Sequence, residues 1–218
     1  MSCAENYRSI IEELKKNNRS GVTLLPVSKT VSAEVIRELY DIGVREFAEN
    51  RIEVLTPKAE TLPKDIQWHF IGRLQSNKVR KVLKAARFIH SVDSIELVER
   101  IDRIAGEEKC RPVIFLEISV SGEECKGGFP VAKAAELAAA AAKAENIELA
   151  GLMTMAPLEA DQEECRAVFD GLRQCRDDLE KKLGIKLPGL SMGMSNDWRI
   201  AVECGSTLIR VGSSIFHK

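Results

Sequence analysis

Aromatic side chains are scarce in this sequence, at 5% of 218 residues, and histidine occurs three times. Cysteine occurs six times, at Cys3, Cys110, Cys125, Cys165, Cys175 and Cys204. No two form a C-x-x-C pair, and none has a histidine nearby at zinc-ligand spacing, which excludes a zinc ribbon and a thioredoxin-type redox pair. The cysteines read as free thiols in a reducing cytosol. An excess of one charge is also missing. Lys and Arg number 32 against 33 Asp and Glu, a formal charge of -1, so no basic field argues for nucleic acid. No apolar run approaches the ~20 residues that span a bilayer. The first residues lack a basic n-region followed by an apolar h-region, so no secretory signal is expected. No Pro/Gly/Ser linker and no repeat divides the chain. A cytoplasmic monomer is expected, one domain over 1–218, with neither a nucleic-acid nor a membrane partner.

What is present is alternation. A leading helix is predicted over 3–18, where Tyr7, Ile10, Ile11 and Leu14 recur at helical spacing. Strands are predicted at 24–27, 44–48, 66–72, 88–92, 112–118, 147–155, 187–192 and 207–211. Helical patterns fill the gaps. Ser32 opens one with Val35, Ile36, Leu39 and Tyr40 on one face, and Gly43 ends it. Asn50 with Glu53, Asp93 with Glu96, and Asp161 with Glu164 have the spacing of capping boxes. Ser76 is expected to cap a basic helix, and Pro130 suits the first turn of an Ala-rich one at 132–144. Gly184 stops the longest helix, a polar loop covers 121–128, and a short helix covers 195–203. Alternating βα units imply a parallel sheet, and eight of them can close on themselves. The fold class is therefore read as α/β, a single (β/α)8 TIM-type barrel with an extra N-terminal helix. A doubly wound open sheet is the alternative, disfavoured because no G-x-G-x-x-G follows an early strand.

In such a barrel the site lies at the C-terminal strand ends. That edge carries Lys29, Asn50, His69 with Gly72, Ser91 with Asp93, Ser119, Met153, Ser191 to Ser195, and Arg210 to Ser214. Asn50, Asp93 and Ser195 are also adequate helix caps with no ligand. The connections after the last two strands, at 190–195 and 210–214, offer small residues whose amides can face an anion. Strand one lies beside strand eight in a closed barrel, so a phosphate there sits within reach of the Lys29 amine. An aldehyde that carries a phosphate satisfies both. Pyridoxal 5'-phosphate is one such molecule, and the phosphorylated sugar of a Schiff-base aldolase is another. Arg210, a planar cation at the end of strand eight, suits a pyridine nitrogen.

An ordered set of motifs now stands out: Val27-Ser28-Lys29-Thr30, Glu49-Asn50-Arg51, Trp68-His69-Phe70-Ile71-Gly72, Leu74-Gln75-Ser76-Asn77-Lys78, Ser91-Val92-Asp93, Gly151-Leu152-Met153, Leu190-Ser191-Met192-Gly193-Met194-Ser195 and Arg210-Val211-Gly212. Together they resemble the pyridoxal phosphate homeostasis proteins, whose fold is related to the N-terminal barrel of alanine racemase. The resemblance implies pyridoxal 5'-phosphate as cofactor, held by Lys29 as a covalent aldimine. It places Arg210 opposite the pyridine nitrogen. Gly212 and Ser213 fall on phosphate-binding positions, with Ser191 and Met192 beside them. Asn50, His69 and Met153 fall on positions lining the pocket. The chain departs from the family pattern at Ala48, Arg73, Ser213 and His217.

Two functions fit one cofactor. One is a protein that holds pyridoxal phosphate, controls its free level and hands it to apo enzymes. The other is a racemase of low activity. An arginine cannot take up a second proton, so the ring stays a weak electron sink. A racemase needs acid/base groups on both faces of the substrate carbon, and beyond Lys29 only His69 is a candidate. A phosphosugar lyase would need a carboxylate near Lys29, where Glu49 is placed to try. The holder is the favoured reading.

Overall fold

The computed structural model describes residues 2–120 and 127–217. Helix α1 (Cys3–Lys16) opens the chain, with Ser2 and Glu5 forming a reciprocal capping box. There follow β1 (Thr23–Pro26), α2 (Ala33–Asp41), β2 (Glu46–Glu49), α3 (Ile52–Thr61), β3 (Gln67–Phe70), α4 (Val79–Ala85), β4 (Phe88–Val92) and α5 (Ile95–Glu108). The second half holds β5 (Val113–Ser119), the two-residue β6 (Phe129–Pro130), α6 (Ala134–Lys143), β7 (Glu148–Met153), α7 (Gln162–Leu183), β8 (Gly189–Ser191), α8 (Trp198–Glu203), β9 (Leu208–Val211) and α9 (Ser213–Phe216). The strands run in the order β1-β9-β8-β7-β5-β4-β3-β2, with β6 off this path against β5. A parallel bridge between Val27 and Ala48 joins the two ends. This is the expected eight-stranded parallel barrel.

Residues of one parity along each strand face the helices, and those of the other face the barrel axis. Leu24, Phe47, Trp68, Leu116 and Ile209 pack in the main core with Ile36, Leu55, Val82 and Ile101 of the helices. Burying each such side chain contributes about 1.5–3 kcal/mol. The axis is different. Its apolar part is small, made of Leu25, Val27, Ala48 and Leu208 with Ile71 against them. The rest of the interior carries buried His69, His90, Ser191 and Arg210, with the rings of Phe88 and Phe115 stacked on the two histidines.

Helix starts follow the sequence only in part. Asp161 and Glu164 form the expected box on α7, and Gly184 ends that helix in the left-handed region. Ser32 occupies its N-cap position without a side-chain cap bond. Asn50 and Glu53 do not form a box: α3 starts after Arg51, and Glu53 pairs with Lys78 instead. Asp93 is displaced as a cap by Ser94, whose Oγ accepts from the Leu97 amide. Ser76 opens a 3-10 turn rather than capping α4. Pro130 ends β6, and a 3-10 turn separates it from α6. Of the loop expected at 121–128, residues 121–126 with Cys125 and Lys126 lie outside the described residues. Among the described residues no helix is long and apolar enough to cross a membrane. The described cysteines are free thiols, and burial pushes Cys175 up to about 11.

Candidate functional site

A cavity of about 480 Å³ opens at the C-terminal strand ends, and Lys29, Asn50, Met153, Arg210, Gly212 and Ser213 all line it. A larger groove of about 860 Å³ runs outside the barrel between α3 and α4. It holds neither Lys29 nor Arg210, so volume alone does not mark the site.

Lys29 follows β1, and its backbone is held from outside the barrel. Ser28 donates its amide to Ala48 O at 2.9 Å and its hydroxyl to Glu49 Oε1 at 2.6 Å. Lys58 of α3 donates to Glu49 Oε1 at 2.6 Å and to Ser28 O at 2.8 Å. Glu49 is fully buried, and its Oε2 has no partner. This clamp ties the end of β1 to the end of β2. Glu49 therefore points away from the cavity, and it is not the carboxylate that a lyase would place beside Lys29.

Arg210 is pinned from the other side. Its Nη1 donates to Ser191 O and Ser191 Oγ, each at 2.6 Å, and its Nη2 donates to Thr154 O at 2.9 Å. Burial lowers the guanidinium to about 10, opposed by Glu117 and Asp197. It stays charged at neutral pH.

The loops after β8 and β9 meet beside it. Gly193 turns the first loop with a φ of 96° and accepts from the Arg210 amide at 2.9 Å. Ser195 Oγ accepts from the amides of Gly212 at 3.3 Å and Ser214 at 3.4 Å. A Cβ on Gly212 would stand 3.2 Å from Val27 O, so a side chain there would press on β1. Met155 and the exposed Leu158, from the loop after β7, add an apolar rim.

His69, Ser191 and Met192 do not line this cavity. Met192 packs in the outer core. His69 lies on the barrel axis, hydrogen-bonded to His90 at 2.9 Å. Burial holds it down to about 3, so it is a neutral interior group and not a base facing a substrate. The sequence reading missed His90, Glu117 and Asp197. The first two had a signal, since both share the inward parity of their strands.

Glu117 sits at the end of β5, in register with Met153. Burial pushes its carboxyl up to about 7, Asp93 adds to the rise, and Arg210 and Arg73 oppose it. A carboxyl whose folded pKa is raised costs stability only when ionised. That cost is absent below the ordinary value of 4.5, grows as pH rises, and is complete above about 7. Glu117→Gln is expected to flatten this slope and to gain roughly 3 kcal/mol over the parent at about pH 8. Urea unfolding at acid and alkaline pH reads the difference, and equal slopes in both proteins would sink the assignment.

Residues 2–218 match the family model described as "Alanine racemase, N-terminal domain". The "Pyridoxal phosphate homeostasis protein" of Aquifex aeolicus is 38% identical, over 99% of this chain and 98% of its own length. The protein of the same name from Schizosaccharomyces pombe is 37% identical, over 99% of this chain and 91% of its own. Among solved structures, PipY of Synechococcus elongatus without PLP superposes with a TM-score of 0.93 at 38% identity, covering 99% of this chain and 100% of that one. PipY with PLP bound gives 0.91 at 37% identity, with the same coverage. An alanine racemase of Clostridium difficile shares the fold, at TM-score 0.79 and 17% identity over 97% of this chain and 56% of that chain. The chain thus belongs to the pyridoxal phosphate homeostasis proteins, a family built on the alanine racemase N-terminal barrel.

Proposed function

We propose that the chain binds pyridoxal 5'-phosphate in the strand-end cavity, tethers it through Lys29 as a Schiff base, and serves intracellular vitamin B6 homeostasis as a holder of the cofactor. The observation that carries this reading is the placement of Lys29 and Arg210 on one cavity beside Gly212 and Ser213. The ligand has three handles, an aldehyde, a pyridine nitrogen and a phosphate, and the donor set suits each. Lys29 brings an amine for the aldehyde. Arg210 keeps its own proton and so donates to the ring nitrogen without protonating it. The amides of Gly212 and Ser214 already accommodate an oxygen, that of Ser195, where a phosphate would sit. Asn50 and Met153 line the same cavity and would face the ring. When bound, pyridoxal phosphate supplies an electrophilic carbonyl carbon on an electron-withdrawing ring.

Holding is favoured over turnover because the two groups weighed for acid/base work lie elsewhere. His69 is buried on the axis, and Glu49 is engaged by Lys58 and Ser28. In this reading the protein works in the cytoplasm as a monomer and passes its cofactor to apo enzymes. The test is uptake followed by trapping. Purified protein mixed with pyridoxal phosphate is expected to turn yellow, and borohydride to fix the added mass on the Lys29 peptide. Mass on another lysine, or no uptake, overturns the tether. Alanine racemisation at ordinary enzyme rates, roughly 1–10³ s⁻¹, overturns the holder.

A further inference from the structure

Behind Arg210 the barrel axis carries polar groups that the cavity does not use, and they form one line. Arg210 Nη1 donates to Ser191 Oγ at 2.6 Å. Ser191 Oγ lies 2.8 Å from His90 Nδ1, and His90 Nε2 lies 2.9 Å from His69 Nδ1. His69 Nε2 faces Glu46 Oε2 at 3.7 Å. Phe88 stacks on His69 with ring centroids 4.0 Å apart, and Phe115 stacks on His90 at 4.4 Å, so neither ring is free to turn. Both histidines are buried, whereas the Glu46 side chain, at the N-terminal end of β2, is 40% exposed. The line crosses the barrel from the cavity toward the opposite face.

The protons give this line a direction. Burial keeps both imidazoles neutral, so each carries one N–H, and a guanidinium can only donate. Two arrangements satisfy the bond between the histidines. In the first, Ser191 O–H donates to His90 Nδ1, His90 Nε2–H donates to His69 Nδ1, and His69 Nε2–H points at Glu46. In the second both bonds of His90 reverse, while Arg210 still donates. Ser191 Oγ then receives from both His90 and Arg210, and its own O–H has no other acceptor among the described residues. His69 Nε2 meanwhile turns a lone pair toward a carboxylate. A buried unpartnered hydroxyl and a lone pair against an anion both cost free energy. The first arrangement leaves one open end, the unpartnered His69 Nε2, with Glu46 Oε2 as the acceptor facing it at 3.7 Å.

We propose that Ser191, His90 and His69 are positioning residues for Arg210, a relay whose donors all point away from the cavity and toward Glu46. Held this way, Ser191 presents its lone pairs to Nη1. Ser191 O and Thr154 O take two further N–H groups, and the remaining two of the guanidinium's five are left for a ligand. What Arg210 faces rests on the cofactor reading; the polarity of the relay does not.

Nitrogen-15 NMR of the full chain labelled at histidine reads the tautomers directly, with three histidines to assign. Both His69 and His90 are expected as neutral Nε2–H rings at neutral pH, and an Nδ1–H ring or an imidazolium at either overturns the relay. Glu46→Ala removes the terminal acceptor and is expected to raise the share of the reversed arrangement, with Nδ1–H signals growing in at His69 and His90 together because the two rings share one hydrogen bond, which mere packing of the rings would not do. A His69 signal unchanged in that variant overturns Glu46 as the acceptor that ends the relay. With pyridoxal 5'-phosphate as probe, Ser191→Ala and His90→Phe are each expected to weaken binding about tenfold and to move the absorbance maximum of the bound cofactor. His90→Phe keeps the stack on Phe115, and Ser191→Ala removes a single hydroxyl, so at least one variant is expected to fold. Affinity and spectrum unchanged in both overturn the positioning role. A wild-type protein that takes up no pyridoxal phosphate overturns the cofactor reading, and the tautomers then decide the relay alone.

Discussion

Replacing Lys58 by methionine is expected to destabilise the protein by about 3–5 kcal/mol, because it removes one partner of a buried ion pair and leaves the other charged. Glu49 is fully buried, and Lys58 is 8% exposed. The ammonium donates to two acceptors, Glu49 Oε1 and Ser28 O, and the Ser28 hydroxyl donates to the same Oε1, which ties the end of β1 into the pair. Methionine matches the stem but not the charge. Glu49 would keep a single hydroxyl donor, and Ser28 O would lose its side-chain partner. Adding Glu49→Gln to Lys58→Met is expected to recover a large part of the loss, since the amide carries no charge to strand. The coupling from the double-mutant cycle separates the ion pair from general damage. Equal losses in the single and double variants would mean that packing, and not the pair, is what Lys58 supplies. Lys29 is the residue after Ser28, so pyridoxal phosphate uptake is expected to weaken along with stability.

Gly72→Ala is expected to cost at least about 3 kcal/mol, at the upper end of overpacking effects. A Cβ at this position would stand 1.9 Å from Asn50 O and 2.7 Å from Asn50 C, both backbone atoms. No rotamer change relieves such a clash. The adjacent Ile71 amide donates to Glu49 O at 2.9 Å and keeps β3 tight against β2, so one strand end must peel from the other. Asn50 lines the cavity, and displacing it reshapes the site. Gly21→Ala is the control, because nothing lies within 4 Å of its Cβ, and its effect is expected within about 0.5 kcal/mol. Thermal unfolding of both variants checks the pair, and a stable Gly72→Ala protein would show that β2 and β3 are less tightly apposed than the structure has them.

The strand and helix pattern was legible because periodicity reports burial along a whole element. Errors fell at element starts, where a shift of one residue changes which position is the cap. At α5 Ser94 caps in place of Asp93, and at α3 the start falls one residue past Asn50, on Arg51, which makes no side-chain cap bond. The cavity residues were legible where strand ends are simple, as at Lys29, Met153 and Arg210. Ser191 and His69 were harder. Their side chains point along the axis below the cavity, and depth along a strand leaves no trace in an alternation of period two.

The pairing of β1 with β9 sets Thr23 against Leu208 and Pro26 against Val211. The two sides of the cavity thus come from opposite ends of the chain, with Lys29 on one and Arg210 to Ser213 on the other. A contact of such long sequence separation forms late, after the loop-closure entropy of nearly the whole chain has been met. During synthesis the first strand must wait for the last. The pocket is therefore among the final parts of the molecule to be assembled, and its completion reports that the entire barrel has folded.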